Sequence, residues 1–224
     1  MAAPLTCRPE FFDATVRAPK PDPLILLPYC PNTRPQEQDR AMKALAQVLN
    51  QERVKPTQTI PAICRPGDDF AYWGWLRTAW GMARSRGEDL LVIEHDIQLT
   101  LKVYRALIDC PEPWCAGCYQ IPSTRWGLNE PMWVHRVNPG PWQDHQVTRG
   151  VIKVSFPDEP PVYSARCIKP GEQWADYAGL GCVRIRPDRD WPLPEPVHWS
   201  YLDTALSEAL RVRWHLHWPA LRHG

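Results

Sequence analysis

The sequence predicts an α/β fold, with a mostly parallel β-sheet and helices packed on both of its faces. Residues 24–29 and 90–93 are continuous apolar runs, which are typical of strands buried on both faces. Between such runs lie segments whose apolar residues recur at helical spacing. Strand-like and helix-like segments therefore alternate, and this order favours a parallel sheet with crossover helices.

The first half of the chain carries most of that alternation. Its predicted elements are strands at 24–29, 57–64, 90–93 and 114–121, and helices at 36–51, 69–86 and 100–109. Gly87 follows the second helix, where a glycine commonly ends a helix in the left-handed conformation. Asp68 precedes the same helix and is expected to cap its first turn.

The second half is less regular. Residues 122–176 are rich in proline and tryptophan and predict loops and short strands such as 151–154. A strand at 177–185, a linker at 187–196, a helix at 199–211 and a histidine-bearing tail at 213–224 follow. We expect one domain over 1–224, with a regular half at 24–121 and an irregular half at 122–224 that carries the tail.

Composition restricts the class of protein. The chain has 224 residues, 44% of them hydrophobic, and a formal net charge of +1. A near-neutral charge argues against a protein that binds nucleic acid mainly through a large positive field. No run approaches the roughly 18 apolar residues of a membrane span, and the first residues do not resemble a signal peptide. We therefore expect a soluble cytoplasmic protein that does not bind a membrane.

Three cysteines form a C-x4-C-x2-C group: Cys110, Cys115 and Cys118. Such spacing can indicate a zinc or iron–sulfur site. No second C-x-x-C and no well-spaced histidine completes the group, and residues 114–119 also fit a buried strand. We therefore expect these cysteines to be buried thiols rather than metal ligands.

The most informative segment is Glu94-His95-Asp96, which directly follows the strand at 90–93. In an open parallel sheet, ligands bind beyond the carboxyl ends of the strands. Side chains two apart on an extended chain point the same way, so Glu94 and Asp96 can converge on one target. Adjacent carboxylates repel unless a cation lies near them, and Mg²⁺ or Mn²⁺ would suit them. The alternative is a pair of solvated acids at a strand end.

The tail offers a further type of ligand. His215, His217 and His223 lie within the last ten residues, and a neutral imidazole can bind Mn²⁺-type ions.

An apolar strand ending in an acidic x-Asp motif, a late helix with an inward acid, and a terminal histidine together resemble GT-A type glycosyltransferases. Glu94-His95-Asp96 is similar to the Asp-x-Asp motif of that fold, with Glu in the first position. The resemblance implies that Asp96 coordinates the metal that bridges the donor diphosphate, while Glu94 holds ribose or sugar. It implies that His223 is the C-terminal metal ligand, with His217 or His215 as substitutes, and that a UDP-sugar is the donor.

Further roles follow from the same resemblance. Residues implied to hold the donor besides Glu94 and His95 are Pro28 and Tyr29 at the base, Arg65 and Asp69 at base and ribose, Arg77 or Arg84 at the diphosphate, and Gly179 and Gly181 beside the sugar. Asp203 is implied to be the catalytic base that takes the acceptor proton. Each has a structural alternative: the arginines can be solvated, the glycines can shape a turn, and Asp203 can interact with the helix dipole.

The acceptor is inferred in the same way. A short GT-A-like chain with a Trp- and Pro-rich second half is similar to phage enzymes that glycosylate 5-hydroxymethylcytosine in DNA and that accompany cytosine-oxidising dioxygenases. Trp126, Trp133 and Trp142 could stack on an unpaired base, and arginines could contact phosphate. A glycan or small-molecule acceptor, a non-catalytic metal- or nucleotide-binding module, and nucleotidyl transfer are the alternatives.

Overall fold

The computed structural model describes residues 22–30, 35–121, 132–137, 151–154 and 163–223. The helices within them are α1 (Pro35–Gln51), α2 (Ala71–Arg86), α3 (Leu101–Asp109) and α4 (Leu202–Leu210). The strands are β1 (Leu24–Tyr29), β2 (Thr59–Ile63), β3 (Leu90–Ile93), β4 (Ile97–Gln98), β5 (Trp114–Ile121), β6 (Met132–Trp133), β7 (Arg136–Val137), β8 (Val151–Val154), β9 (Tyr163–Cys167), β10 (Trp174–Ala175), β11 (Cys182–Ile185) and β12 (Trp214–His223).

A central sheet organises the described residues in the order β10-β12-β5-β11-β3-β1-β2, with β4 beside β12 and β6 beside β5. The pairs β1–β2, β1–β3 and β5–β12 are parallel, whereas β11 lies antiparallel between β3 and β5. The pairs β10–β12, β4–β12 and β5–β6 are antiparallel as well. The predicted α/β class is therefore confirmed, and the sheet is mixed, with parallel pairs among β1, β2 and β3 and between β5 and β12. The strands β7, β9 and β8 form a separate small antiparallel sheet.

Helices cover both faces of the sheet, as predicted. Leu24 and Leu26 point towards α2 and α4, while Ile25 between them points towards α1 and α3. This period-2 alternation repeats along β3, every residue of which is buried. Full burial of each such side chain stabilises the fold by about 1.5–3 kcal/mol, so the apolar runs are sufficient to hold the sheet between two helical layers.

Several predicted boundaries were right. The bounds of β1, β3 and β5 match the prediction, and so does the end of α2. Gly87 ends α2 with a φ of 66°, in the left-handed region, and its N–H is bonded to carbonyls of the last helical turn. Thr100 caps α3, because its side chain accepts a hydrogen bond from the Val103 N–H at 3.3 Å.

Other predictions were wrong. The residue at the N-cap of α2 is Phe70, with no side-chain cap, so Asp68 does not play the predicted capping role. The strand predicted at 177–185 is confined to β11. The tail is not a terminal appendage: most of it is β12, which pairs with β5 inside the central sheet.

No helix among the described residues is long and apolar enough to cross a membrane.

Candidate functional site

The turn after β3 places the acidic motif at one end of the sheet. We call this end the carboxyl edge, because β1, β3 and β5 all finish there. The Glu94 N–H donates to the Gly181 carbonyl at 2.8 Å, and the His95 N–H donates to the Pro28 carbonyl at 3.2 Å. The Nδ1 of His95 also lies 3.1 Å from that carbonyl, which requires the Nδ1–H tautomer. The motif is therefore anchored to β1 and to the segment before β11.

Glu94 lies in a concentration of negative charge. Burial, and after it the charges of Asp96 and Asp203, raise the pKa of its carboxyl from 4.5 to about 8, although a hydrogen bond with Tyr72 opposes the rise. Asp203 belongs to α4, more than 100 residues later in the chain. The fold thus gathers carboxylates from both halves of the chain at the carboxyl edge.

Tyr119 on β5 lies among the same acids. Its pKa is raised well above the ordinary value, first by burial and then by the charges of Glu94, Asp203 and Asp96. Its hydroxyl accepts a hydrogen bond from the Gly181 N–H at 2.9 Å. We use the name carboxylate site for Glu94, Asp96, Asp203, Tyr72 and Tyr119.

Asp203 is held in the first turn of α4. Its Oδ1 accepts a hydrogen bond from the Thr204 N–H at 2.7 Å, and its Oδ2 lies 3.6 Å from Nη2 of Arg136. Arg136 is buried and also donates to the Thr204 hydroxyl at 3.0 Å. Because both oxygens have partners on fixed backbone or on a buried side chain, the carboxylate is kept in one orientation.

The C-terminal strand brings His223 to the motif. β12 pairs antiparallel with β4, and the Cα partner of His223 is Ile97, the residue after Asp96. The side chain of His223 lies outside the described part. His215 and His217 do not join the acids, because they pair with Cys115 and Gly117 in the first half of β5, away from the carboxyl edge.

Gly179 and Gly181 are required by internal packing. A Cβ on Gly179 would lie 2.0 Å from Cγ1 of Val134, and a Cβ on Gly181 would lie 2.6 Å from the Tyr119 hydroxyl. The space beside each glycine is therefore filled by the protein itself. The close approach of a sugar, which the sequence suggested as their reason, does not follow from this geometry.

The residues predicted to hold the nucleotide line the same edge. Pro28 is buried and Tyr29 is half-buried, with its ring edge-on to His95 at 5.5 Å between centroids. Arg65 is exposed and follows Cys64, whose pKa is raised to about 11 by burial and, more weakly, by neighbours that include Glu94. The ends of β1 and β2 therefore lie close to the carboxylate site.

Two predicted diphosphate contacts are placed elsewhere. The guanidinium of Arg77 lies over the Trp73 ring, 5.2 Å from its centroid. Arg84 forms an ion pair with Asp190 at 2.5 Å. Both arginines lie on the outer side of α2, and neither contact involves the carboxylate site.

An exposed aromatic group lies beside the start of α4. Phe70, Trp199 and Tyr201 are each between 44% and 53% exposed, and their rings surround His198. Asp69 joins this group, because its backbone carbonyl accepts from the Trp199 N–H at 2.9 Å. We call Phe70, His198, Trp199 and Tyr201 the aromatic shelf. Asp69 therefore holds the aromatic shelf in place, in addition to forming the turn before α2.

The tryptophans named from the sequence are placed differently. Trp133 packs edge-on against Trp218, 5.0 Å between ring centroids, as part of the core. Trp126 and Trp142 lie outside the described residues. Arg136 is buried beneath α4, so it does not contribute to a surface patch for phosphate.

Sequence reasoning missed Tyr72, Tyr119, Arg136 and the aromatic shelf. The local signal was the density of aromatic residues after Asp69 and before Asp203. Their meeting depends on contacts between distant segments, such as α2 and the turn before α4.

Among the described side chains, the oxygens of Glu94, Asp96 and Asp203 do not all lie within 4.8 Å of one another.

No protein-family model matches the chain, and no curated protein is significantly similar to it.

Proposed function

We propose that the protein is a metal-dependent glycosyltransferase that moves a sugar from a UDP-sugar to an acceptor hydroxyl. The observation that carries the proposal is the meeting of Glu94, Asp96 and Asp203 at the carboxyl edge of the sheet. In open α/β sheets this edge is where ligands bind. Carboxylates there are well placed to serve a phosphate-bound metal and a reacting hydroxyl.

The carboxylate site fits a hard divalent cation. Burial is the main cause of the raised pKa of Glu94, and the charges of Asp96 and Asp203 add to it; a cation would relieve that repulsion. Asp96 and Glu94 would hold Mg²⁺ or Mn²⁺ through oxygen ligands, with His223 close enough in the backbone to complete the set. When bound, such an ion offsets the charge that develops on a leaving diphosphate.

The protein's own groups account for the other steps. Asp203 accepts the proton of the acceptor hydroxyl as that oxygen forms a bond to the anomeric carbon. The bond between the anomeric carbon and the diphosphate oxygen breaks, and its electron pair leaves with UDP. Arg136 keeps the Asp203 carboxylate oriented, and the ends of β1 and β2, with Tyr29 and Arg65, provide the surface for the nucleotide.

Four positions that the resemblance implied for the donor are not given a donor contact in the proposal. His95 holds the loop against β1 rather than touching the donor, because both its N–H and its ring nitrogen are directed at the Pro28 carbonyl. Arg77, Gly179 and Gly181 are not assigned a donor contact, since each has a structural role of its own.

The preferred acceptor is 5-hydroxymethylcytosine in DNA. The aromatic shelf supports a ring-shaped acceptor, because exposed aromatic side chains can stack on a base released from a duplex. His198, Trp199 and Tyr201 of the shelf directly precede the start of α4, which carries Asp203, so a base stacked on the shelf would lie near the proposed catalytic base. A sugar ring could stack in the same way, and a glycan is therefore the alternative acceptor.

Turnover of the donor tests the proposal. Release of UDP from a panel of UDP-sugars is measured with Mn²⁺ and with a chelator. We expect metal-dependent release that Asp203→Asn lowers at least 100-fold and that the distant control Asp190→Asn leaves unchanged. Donor binding without any release in the unsubstituted protein would instead indicate a non-catalytic nucleotide-binding module.

A further inference from the structure

Cysteine and histidine side chains gather on the α3 side of the sheet, away from the carboxylate site. Cys110 ends α3, Cys115 lies on β5, and His217 lies on β12. Their ligand atoms all lie within 4.8 Å of one another. His215 offers a fourth ligand atom beside the group, since its Nδ1 is 3.2 Å from the sulfur of Cys110.

The register of the sheet explains why the sequence hid this group. β5 and β12 are parallel, and their pairing places His215 beside Cys115 and His217 beside Gly117. Cys118 points to the opposite face, where it packs in the core with Trp114. The sequence offers no histidine close to the cysteine group, whereas the fold brings two histidines beside it from a strand about 100 residues later.

One ring nitrogen of His217 is available to bind a ligand. Its Nε2 is buried and has no hydrogen-bond partner among the described residues. A buried imidazole nitrogen without a partner is unfavourable unless something binds it, and a neutral imidazole offers its lone pair to a metal ion.

A buried cation contacts one of the two sulfurs. Arg184 is fully buried and donates from Nη2 to the sulfur of Cys115 at 3.1 Å. The guanidinium is paired with Asp89, which also pairs with Arg186 at 3.1 Å. A neighbouring guanidinium favours a thiolate, and two thiolates would offset the charge of a divalent ion.

We propose that Cys110, Cys115, His215 and His217 bind one Zn²⁺ ion in a tetrahedral site. Zinc favours sulfur and nitrogen ligands, and four protein ligands are typical of structural zinc sites. Such ligands lie about 3.8 Å apart around the ion, so the group needs only a modest contraction to reach that geometry. The ion would link the end of α3 to β5 and β12, and so it would stabilise the strand that carries His223.

This site is distinct in its chemistry from the carboxylate site, which offers oxygen ligands to a harder ion. The zinc proposal can therefore be tested independently of the proposed glycosyl transfer. The test measures the metal content and the spectrum of the metal with its ligands, rather than turnover.

The test uses the full chain without an affinity tag, purified under reducing conditions. We expect one zinc per chain by elemental analysis after dialysis against metal-free buffer. Replacement with Co²⁺ should produce a thiolate-to-cobalt charge-transfer band and the strong visible bands of tetrahedral cobalt. Cys115→Ser and His217→Ala should lose these bands and bind zinc at least 100-fold more weakly.

The matched control is Cys118→Ser, which removes a buried thiol from the same strand but from the opposite face. It should keep both the zinc and the cobalt spectrum, and so should Asp96→Ala. Three results would overturn the proposal: the folded, unsubstituted chain binds no zinc or cobalt; the cobalt spectrum shows no thiolate band; or the cobalt spectrum survives Cys115→Ser unchanged.

Discussion

Replacing Glu94 by glutamine tests the accumulation of charge at the carboxylate site. Glu94 has a raised pKa in the folded protein because its charged form is buried near Asp96 and Asp203. The folded state therefore keeps the proton at pH values where the unfolded chain has lost it. The free energy of unfolding should fall as the pH rises from the unfolded value of 4.5 to the folded value of about 8.

The magnitude follows from those two pKa values. Each pH unit between them is worth about 1.4 kcal/mol, so the full effect is at most about 5 kcal/mol. Glutamine does not ionise, so Glu94→Gln should be more stable than the unsubstituted chain at pH 8, and the difference should shrink towards pH 5. The pKa values of His135 and His217 are lowered to about 4, so their contribution has the opposite slope between pH 4 and 6.5.

Urea unfolding at several pH values measures the effect in both proteins, without added metal. The difference between them removes the histidine contribution, which they share. Asp190→Asn is the control, because Asp190 is an exposed partner of Arg84 on the outer side of α2. Parallel pH profiles for Glu94→Gln and the unsubstituted chain would refute the charge accumulation.

Three other substitutions, one of them with a matched control, test separate parts of the account. Asp96→Ala should lower donor turnover by at least about 100-fold, since metal-assisted charge stabilisation is worth several kcal/mol. The circular dichroism spectrum of this variant should be unchanged. Full activity of the variant would contradict the metal site. Gly181→Ala should destabilise the fold by about 1–3 kcal/mol in urea, because its Cβ would lie 2.6 Å from the Tyr119 hydroxyl. Gly81→Ala, a helical position with open space around it, should be neutral or stabilising by up to about 1 kcal/mol, and equal losses for both would refute the packing argument. Arg184→Met should cost about 3 kcal/mol in the same assay, because its aspartate partner would remain half-buried beside fewer cations; an unchanged midpoint would contradict this.

Local sequence was sufficient for the elements that are buried on both sides. β1, β3 and β5 are apolar runs bounded by turn residues, so their limits could be read directly. Gly87 could be placed because a left-handed residue after a helix favours glycine. The acidic motif was recognisable for the same reason, since it follows the most apolar strand.

Sequence was insufficient where a feature depends on pairing between distant strands. The direction of β11 is not encoded in its apolar residues, which fit a parallel or an antiparallel neighbour equally well. In β12 the alternation of Trp214, His215, Leu216 and His217 is a period-2 strand pattern. The three histidines of this segment were instead interpreted as candidate ligands of a metal at the carboxyl edge. Only the register with β5 shows that two of them face Cys110 and Cys115 instead.

The approach of Asp203 to Glu94 also had to come from the structure. An acid in the first turn of a helix is favoured by the helix dipole wherever the helix lies. What distinguishes Asp203 is that α4 packs on the same face as α2, which brings its first turn to the end of β3.

The most direct measurement of the central claim combines donor and acceptor. The protein is incubated with Mn²⁺, a panel of UDP-sugars and DNA containing 5-hydroxymethylcytosine, and the digested nucleosides are weighed by mass spectrometry. The account predicts a hexose or N-acetylhexosamine added to the modified cytosine, absent with Asp203→Asn. Metal-dependent UDP release without modified DNA would move the acceptor to a glycan or a small molecule. No UDP release from any donor, with or without an acceptor, would contradict glycosyl transfer itself.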